Sequence, residues 1–253
     1  MRRFYLPPAQ CQSHRLALTG SEAHHAAGVL RVKPGEMVAV LDGIGGEYTC
    51  RVASAASKQI LLDVESVARD PAPACRVTLV QAIPKGQIFE AIVQKATELG
   101  VARVVPLLSE RVAVRLDDRA AGHKHEKWQH TAVEAIKQCG QRWLPEVPEP
   151  MTLPQWLSRG ESFDLTLLGS LQDDRQHARQ YFSAFEREHQ RRPATLCVWI
   201  GPEGDFSPAE VESIRKIGAL PITLGPLILR SETAAIFALS IINYELQTPL
   251  GDP

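Results

Sequence analysis

After residue 75 the sequence alternates between short apolar, β-branched runs and longer segments with helical periodicity. The strand patterns cover residues 76–83, 101–108, 164–168, 195–200 and 222–224. The helix patterns cover residues 87–100, 125–141, 174–190, 207–217 and 231–247. Parallel strands need long crossover connections, so this alternation predicts a parallel sheet covered by helices on both faces. We therefore predict an α/β domain over residues 75–253.

Two of these helices carry further information. Ser207 is predicted to be an N-cap residue, Pro208 suits the first helical position, and Glu210 completes a capping box. The last helix, 231–247, is apolar nearly all round, which predicts burial on more than one side. In a domain of this size, a subunit interface can bury the second side.

The first 70 residues show a different pattern, with short strand-like segments separated by turn residues. Residues 37–41 and 47–52 flank a glycine-rich stretch and predict a hairpin. Residues 59–64 predict another strand, and residues 21–30 a short helix. We therefore predict a small β-barrel over residues 1–70, joined to the second domain by a proline-containing linker.

Composition excludes some functions. The net charge of -1 argues against tight non-specific binding to bare nucleic acid, although it is compatible with one basic face. The 5 cysteines are scattered and form no C-x-x-C pair, so we expect neither a disulfide framework nor a metal site. We also find no secretory signal and no apolar run of the ~18 residues that a membrane span needs. We expect a cytoplasmic protein that binds no membrane.

The loop over residues 200–207 reads Ile-Gly-Pro-Glu-Gly-Asp-Phe-Ser and connects a predicted strand to the capped helix. In open α/β sheets, ligands bind at the carboxyl ends of the strands, and glycines let the backbone approach them closely. The loop lacks the G-x-G-x-x-G pattern, which disfavours a nicotinamide site. Taken alone, it is equally compatible with a plain turn.

A second loop, over residues 224–233, reads Leu-Gly-Pro-Leu-Ile-Leu-Arg-Ser-Glu-Thr. It also runs from a predicted strand into a helix, and it places Arg230 and Glu232 at the helix entrance. These two residues are candidate functional groups. A solvated ion pair at the start of a helix is the alternative interpretation.

The two loops together resemble the end of the SPOUT methyltransferases. More narrowly, they resemble the family that methylates N3 of a uridine in ribosomal RNA of the small subunit. The most specific matches are Gln-Lys-Ala-Thr-Glu-Leu-Gly at 94–100 and Leu-Arg-Ser-Glu-Thr at 229–233. Arg-Arg-Phe-Tyr at 2–5 and Lys-Gly at 85–86 also match, and the resemblance covers nearly the whole chain.

The resemblance implies a SPOUT domain with a deep trefoil knot, preceded by a PUA-like RNA-binding barrel. It implies a homodimer formed through the C-terminal domain, with S-adenosyl-L-methionine as the cofactor. The expected substrate is a specific uridine of 16S ribosomal RNA within an assembled small subunit. The implied cofactor contacts are Leu168, Gly169, Ile200, Gly201, Pro202, Glu203, Gly204, Leu224, Gly225, Leu229 and Thr233.

The resemblance also implies residue roles. Arg230 cannot act as a base because its pKa lies above ~12, so we expect it to position the uridine and stabilise developing charge. Glu232 is the nearest acidic group that could support it. The candidate RNA contacts are Arg2, Arg3, Arg31, Lys33, Lys85, Arg111 and Arg142.

The sequence departs from the family pattern at three places. Asp205 stands where a second glycine is usual, Gly169-Ser170 where a His-Pro pair is usual, and Lys137 where an acidic residue is common. Two alternatives stay open. One is a SPOUT enzyme that methylates ribose 2′-oxygens in transfer RNA, and the other is a non-catalytic RNA-binding or ribosome-assembly factor.

Overall fold

The structure, a computed structural model, describes residues 1–56, 58–111 and 118–247. It divides into two compact units. The first is Met1–Ala72 together with Val133–Leu144, and the second is Pro73–Ala132 together with Pro145–Pro253. The sequence pattern did not predict that a segment from the middle of the chain joins the first unit. Residues 112–117 and 248–253 of the expected second domain lie outside the described residues.

The first unit contains a sheet in the order β1-β3-β4-β5-β2. Its strands are β1 (Arg2–Tyr5), β2 (Arg15–Thr19), β3 (Met37–Leu41), β4 (Gly46–Ala56) and β5 (Gln59–Arg69). β1 runs parallel to β3, whereas the other neighbouring strands are antiparallel. The predicted hairpin is β3–β4, in which Leu41 lies opposite Glu47. The predicted short helix is α1 (Gly20–His24), which continues as a π-helical turn, His25–Val29.

The core of the first unit forms because every second side chain points inward along the strands. In β2, Leu16 and Leu18 are buried while Arg15 and Thr19 face solvent. Their apolar side chains pack with Phe4, Ile60 and Leu62 into one cluster. The sequence pattern did not predict β2, although the same kind of alternation predicted β3, β4 and β5.

Charged contacts hold residues 133–144 within the first unit. The Lys137 ammonium lies 2.7 Å from a Glu22 carboxylate oxygen, and only 6% of the Lys137 side chain is exposed. The Arg142 guanidinium lies 2.6 Å from an Asp70 carboxylate oxygen. The unexpected lysine at position 137 therefore has a structural role, since it neutralises a carboxylate of α1.

The second unit contains a parallel sheet in the order β11-β9-β10-β6-β7-β8. The strands are β6 (Arg76–Ala82), β7 (Arg103–Leu108), β8 (Met151–Thr152), β9 (Leu165–Gly169), β10 (Thr195–Ile200) and β11 (Leu220–Ile222). The helices are α2 (Ile88–Glu98), α4 (Leu153–Ser158), α5 (Ala178–His189), α6 (Pro208–Lys216), α7 (Ser231–Gln247) and the part of α3 (Asp118–Cys139) that precedes Val133. The predicted α/β class with a parallel sheet is confirmed.

Three predicted boundaries were wrong. The helix expected at 125–141 spans Asp118–Cys139. The strand expected at 222–224 lies at Leu220–Ile222, where Leu220 pairs with Leu167 of β9. The helix expected from residue 174 begins at Ala178 because the backbone before it forms hydrogen bonds with β11. The amide of Gln176 donates to the Pro221 carbonyl at 3.0 Å, so this stretch extends the edge of the sheet instead of coiling.

The capping box predicted for α6 is confirmed. The Ser207 hydroxyl accepts from the Glu210 amide at 3.3 Å, and a Glu210 carboxylate oxygen accepts from the Ser207 amide at 2.8 Å. The second Glu210 oxygen accepts from the Glu110 amide at 2.9 Å. This buried carboxylate therefore anchors the helix start to the loop after β7.

The strand order determines where a ligand site can form. β9 lies between β10 and β11, so the loops that follow these three parallel strands leave the sheet at one edge. This is the edge at which open α/β sheets bind ligands. The arrangement is compatible with the trefoil knot, which stays a prediction. Within the described ranges, no helix has the length and apolar character that crossing a membrane requires.

Candidate functional site

A cavity lies at the carboxyl ends of β9, β10 and β11. All three of the strand-end loops contribute to it. Its lining residues are Gly169, Ser170, Leu171, Ile200, Gly201, Pro202, Glu203, Asp205, Leu224, Gly225, Leu227, Ile228, Leu229, Ser231 and Ala234.

At two glycines, neighbouring atoms of the cavity wall pack so closely that a side chain would fit only by displacing them. A Cβ atom added to Gly169 would lie 3.0 Å from the Ile200 Cδ1 atom. A Cβ atom added to Gly201 would lie 3.0 Å from an Asp205 carboxylate oxygen. Because real Cβ contacts are rarely this short, a larger residue at either position would push these neighbours aside. The glycines therefore bring the backbone close to a ligand, as predicted for the loop that begins at Gly201.

A hydrogen-bonded chain ties the first residue of α7 to the loop after β10. The Gln81 amide nitrogen donates to the Ser231 hydroxyl at 2.8 Å, and that hydroxyl donates to the Gly201 carbonyl at 2.7 Å. Gln81 is fully buried at the end of β6, and Ser231 is only 4% exposed. Buried side chains with such bonds are held in one orientation. The chain therefore fixes one wall of the cavity to the sheet.

The turn after Gly201 has an unusual backbone at Asp205, whose φ of 59° lies in the left-handed region. Its amide donates to the Pro202 carbonyl at 2.9 Å. One oxygen of its carboxylate accepts from the Phe206 amide at 2.8 Å. The side chain thus stabilises its own turn, which is a known property of Asp in left-handed conformations.

Two of the candidate RNA contacts donate hydrogen bonds to residues of this turn. The Lys85 amide donates to a Glu203 carboxylate oxygen at 3.0 Å, while the Lys85 side chain is exposed. The Arg111 guanidinium donates to the Gly204 carbonyl at 2.7 Å. Both residues therefore lie beside the loop that lines the cavity, although they were singled out only by resemblance.

The structure brings together eight of the eleven expected cofactor contacts, and the other three lie outside the lining. Leu168 is buried in the core behind the cavity. Gly204 and Thr233 are exposed to solvent. The lining residues that the sequence did not predict as contacts are Ser170, Leu171, Asp205, Leu227, Ile228, Ser231 and Ala234. Most of them belong to the loops already singled out, so a prediction that included every residue of these loops would have found them.

The two candidate catalytic residues flank Ser231 but do not line the cavity. Arg230 is exposed and Glu232 is half-buried at the start of α7. Among the residues that the structure describes, these two side chains form no ion pair with each other or with a third group. The solvated-pair interpretation therefore has no support in the geometry.

The candidate RNA contacts of the first unit differ in how they are engaged. Arg31 and Lys33 are exposed. Arg2 is paired at 2.8 Å with Glu36, and both side chains remain substantially exposed. The half-buried Arg3 points its guanidinium at the C-terminal carbonyls of α3, where a cation satisfies unpaired acceptors. Arg142 is held by carboxylates within the unit.

Three of the five cysteines lack the character of metal ligands or nucleophiles. Burial raises the pKa of Cys11 to about 11, and that of Cys50 and of Cys75 to about 12. These thiols therefore stay protonated at neutral pH, whereas the thiolate is the reactive and metal-binding form. Within residues 1–56, 58–111 and 118–247, no cluster of three or more His, Cys, Asp or Glu side chains could hold a metal ion.

Comparison with known proteins gives matches over both units. A family model described as RNA methyltransferase domain matches residues 70–243, and one described as RNA methyltransferase PUA domain matches residues 18–65. Ribosomal RNA small subunit methyltransferase E of Bacillus subtilis is 31% identical over 256 residues, covering 100% of both chains. The corresponding Synechocystis protein is 32% identical and covers 97% of this chain and 78% of its own length.

Solved structures show the same similarity. A Legionella pneumophila protein in complex with the bound cofactor SAM has a TM-score of 0.86 and 32% identity, covering 96% of each chain. Ribosomal RNA small subunit methyltransferase E from Neisseria gonorrhoeae, bound to S-adenosyl methionine, has a TM-score of 0.82 and 26% identity. It covers 96% of this chain and 97% of the other. The similarity confirms the resemblance found in the sequence, including its N-terminal PUA-like domain.

Proposed function

Because this chain belongs to the RNA methyltransferase family that includes ribosomal RNA small subunit methyltransferase E, we propose that it transfers a methyl group to small-subunit ribosomal RNA. The methyl donor is S-adenosyl-L-methionine and the acceptor is N3 of a specific uridine in 16S RNA. The observation that carries the proposal is the cavity at the three strand ends, since its lining suits this cofactor.

The fit of the cofactor rests on two properties of the cavity. Ile200, Leu224 and Leu229 offer apolar surface to an adenine ring. The charged residues of the lining, Glu203 and Asp205, are both acidic and suit a positively charged ligand. Bound there, S-adenosyl-L-methionine supplies a methyl group activated by its sulfonium.

The residues of the chain must then prepare the uridine. N3 of uracil carries a proton at neutral pH, and methylation requires that this proton leave. Just before α7, Arg230 places a guanidinium that forms no ion pair with the described residues, where it can hold a phosphate or stabilise negative charge on a uracil oxygen. Glu232, two residues later in the first turn of α7, can accept a proton or orient Arg230. We assign Arg230 the main role and Glu232 a supporting one.

Orientation supplies much of the acceleration for an in-line methyl transfer. The proposed RNA contacts are Arg2, Arg3, Arg31, Lys33, Lys85, Arg111 and Arg142. Arg31 and Lys33 are exposed, and Lys85 and Arg111 lie beside the cofactor loop, so these four have the strongest structural support. Because a stacked base cannot reach such a pocket, the target uridine is turned out of its helix during the reaction.

The proposal extends to the assembly. The helix α7 is buried through Ala235, Leu239 and Ile242, while Phe237 on the opposite face is 44% exposed. A second copy of the chain could cover this face and bury Phe237, which supports a homodimer formed through the second unit. A near-neutral net charge supports a structured target, so we propose an assembled small subunit in the cytoplasm as the substrate.

A methyl-transfer assay tests the function directly. Small ribosomal subunits from cells lacking this protein are incubated with the protein and labelled S-adenosyl-L-methionine, and the RNA is digested for nucleoside mass spectrometry. We expect 3-methyluridine. A ribose-methylated nucleoside would assign the chain to another activity of the SPOUT class. No transfer and no cofactor binding by calorimetry would leave a non-catalytic RNA-binding protein.

A further inference from the structure

The charged side chains in the cavity lining are all negative. Its lining contains two carboxylates, from Glu203 and Asp205, and no Lys, Arg or His among the residues that the structure describes there. The rest of the lining is apolar, small or hydroxyl-bearing. A lining whose charged side chains are all negative favours a cationic ligand over a neutral one of the same shape.

The two carboxylates are not equivalent. Glu203 is exposed, and one of its oxygens is engaged by the Lys85 amide at 3.0 Å. Asp205 is half-buried. One of its oxygens accepts from the Phe206 amide at 2.8 Å, and the other has no hydrogen-bond partner among the described residues. Asp205 is therefore the more buried of the two carboxylates and has one oxygen free of hydrogen bonds to the described residues. It also lines a neighbouring cavity that contains Arg111 and Arg215.

The backbone at Asp205 does not itself require a carboxylate. Its φ of 59° lies in the left-handed region, which glycine adopts freely and which Asp and Asn also tolerate. A glycine or an asparagine could therefore form the same turn without a negative charge.

We propose that Asp205 is a specificity-determining residue that makes the cavity prefer the positively charged methyl donor over its demethylated product. The inference rests on the proposed function. S-adenosyl-L-methionine and S-adenosylhomocysteine share the adenosine and the amino-acid group, but only the donor carries a positive charge on sulfur. The two ligands present the same surface except for one methyl group. A carboxylate in the lining therefore discriminates between them by charge.

Such a preference assists turnover. Methyl transfer removes the positive charge from sulfur, and with it the attraction to Asp205. The product is then held only by contacts that both ligands share, so it dissociates faster than the donor. A chain with glycine at this position would depend on other groups to release its product.

Calorimetric titration of the full-length protein with each ligand separately tests the inference. Asp205→Asn removes the charge and keeps both the acceptor for the Phe206 amide and a residue type that tolerates the left-handed region. Asp205→Gly removes the charge and relaxes the backbone. Asp173→Asn is the matched control, since Asp173 is fully exposed and lies outside the cavity lining.

We expect both Asp205 variants to lower the ratio of donor affinity to product affinity roughly ten-fold, the size of a single partly screened charge interaction. The loss should fall on the donor, while affinity for the product changes less than about two-fold. The control should keep the wild-type ratio. Raising the salt concentration should lower the ratio in the wild-type protein more than in Asp205→Asn.

Two results would overturn the inference while leaving the proposed function intact. One is an unchanged ratio in both Asp205 variants. The other is an equal loss of affinity for both ligands, which would mean that Asp205 shapes the turn and does not sense the charge. If the wild-type protein bound neither ligand, the proposed function itself would fail, and the inference with it.

Discussion

Among single residues, Arg230 is the side chain whose loss should most affect turnover. Arg230→Ala removes an exposed guanidinium that lies outside the cavity lining. We expect turnover to fall at least ~100-fold, as for other groups that stabilise developing charge, while affinity for the methyl donor changes less than about two-fold. Single-turnover methylation together with calorimetry measures both quantities.

Arg230→Lys keeps the charge and loses the planar fork, so partial recovery would indicate that charge contributes more than geometry. Lys216→Ala, on the exposed end of α6, is the control for removing a surface cation. Wild-type turnover in Arg230→Ala would contradict the assigned role. It would leave Glu232 as the remaining candidate.

Asp164 predicts a pH dependence of stability. The Arg191 guanidinium, together with the amides of Ala194 and Thr195, lowers the pKa of this carboxyl below its ordinary value of 3.8. A depressed folded pKa means that the ionised group contributes stability above about pH 4 and loses it as the pH falls further. We expect Asp164→Asn to cost about 1–2 kcal/mol at pH 7, as for hydrogen bonds to a charged group.

The comparison is made by urea unfolding of wild-type and Asp164→Asn protein between pH 7 and pH 2.5. The difference in unfolding free energy should stay constant down to about pH 4 and then shrink. A difference that grows on acidification would show that the carboxyl is protonated in the folded protein, in contradiction to the contacts at Asp164.

At the level of elements, the chain from Gln81 through Ser231 to Gly201 links a strand, a helix and the cofactor loop. Ser231→Ala removes one acceptor of the buried Gln81 amide and the donor to Gly201. We expect a loss of about 1–3 kcal/mol in unfolding free energy, since buried groups are left short of partners. Donor affinity should also decrease, because the loop loses its attachment.

A double-mutant cycle with Gln81→Ala isolates the link. If the two side chains act through their hydrogen bond, the double variant should be more stable than the sum of the single losses predicts. Ser240→Ala is the matched control, because Ser240 lies on the exposed face of the same helix and donates only to the Ile236 carbonyl. Additive losses at positions 81 and 231 would contradict the link.

The sequence predicted elements best where a local signal marks their ends. Ser207, Pro208 and Glu210 predicted the start of α6 correctly because a capping box is contained within one turn. The position of β11 was wrong because Pro221 argues against a strand interior. The sheet tolerates this proline because β11 is an edge strand, so the proline's missing amide leaves no ladder partner unsatisfied.

At the level of the whole molecule, the exposed face of α7 predicts the oligomeric state. Phe237 is 44% exposed on a helix whose opposite face is in the core. Phe237→Glu would place a charge in the proposed dimer interface, at the cost of desolvating it. We expect sedimentation velocity to show a dimer for the wild-type protein and a monomer for the variant. A variant that remains dimeric would place the interface elsewhere.

The loops of the site could be predicted because each contains a recognisable motif and follows a strand of the parallel sheet. Gly201 and Gly225 follow strands that are both neighbours of β9, so their loops meet. Long-range partners were not predictable in this way. That Lys137 pairs with Glu22 depends on a fold in which residues 115 positions apart meet, and no local pattern encodes it.

The division of the first unit between two chain segments has a consequence for biosynthesis. Residues 1–72 leave the ribosome first, yet Glu22 and Asp70 find their cationic partners only in residues 133–144. Until those residues emerge, the nascent first unit carries a half-buried carboxylate without its lysine. The order of translation thus delays completion of the first unit until residues 73–132 of the second one have been made. A truncation at residue 72 would be expected to yield a poorly folded fragment.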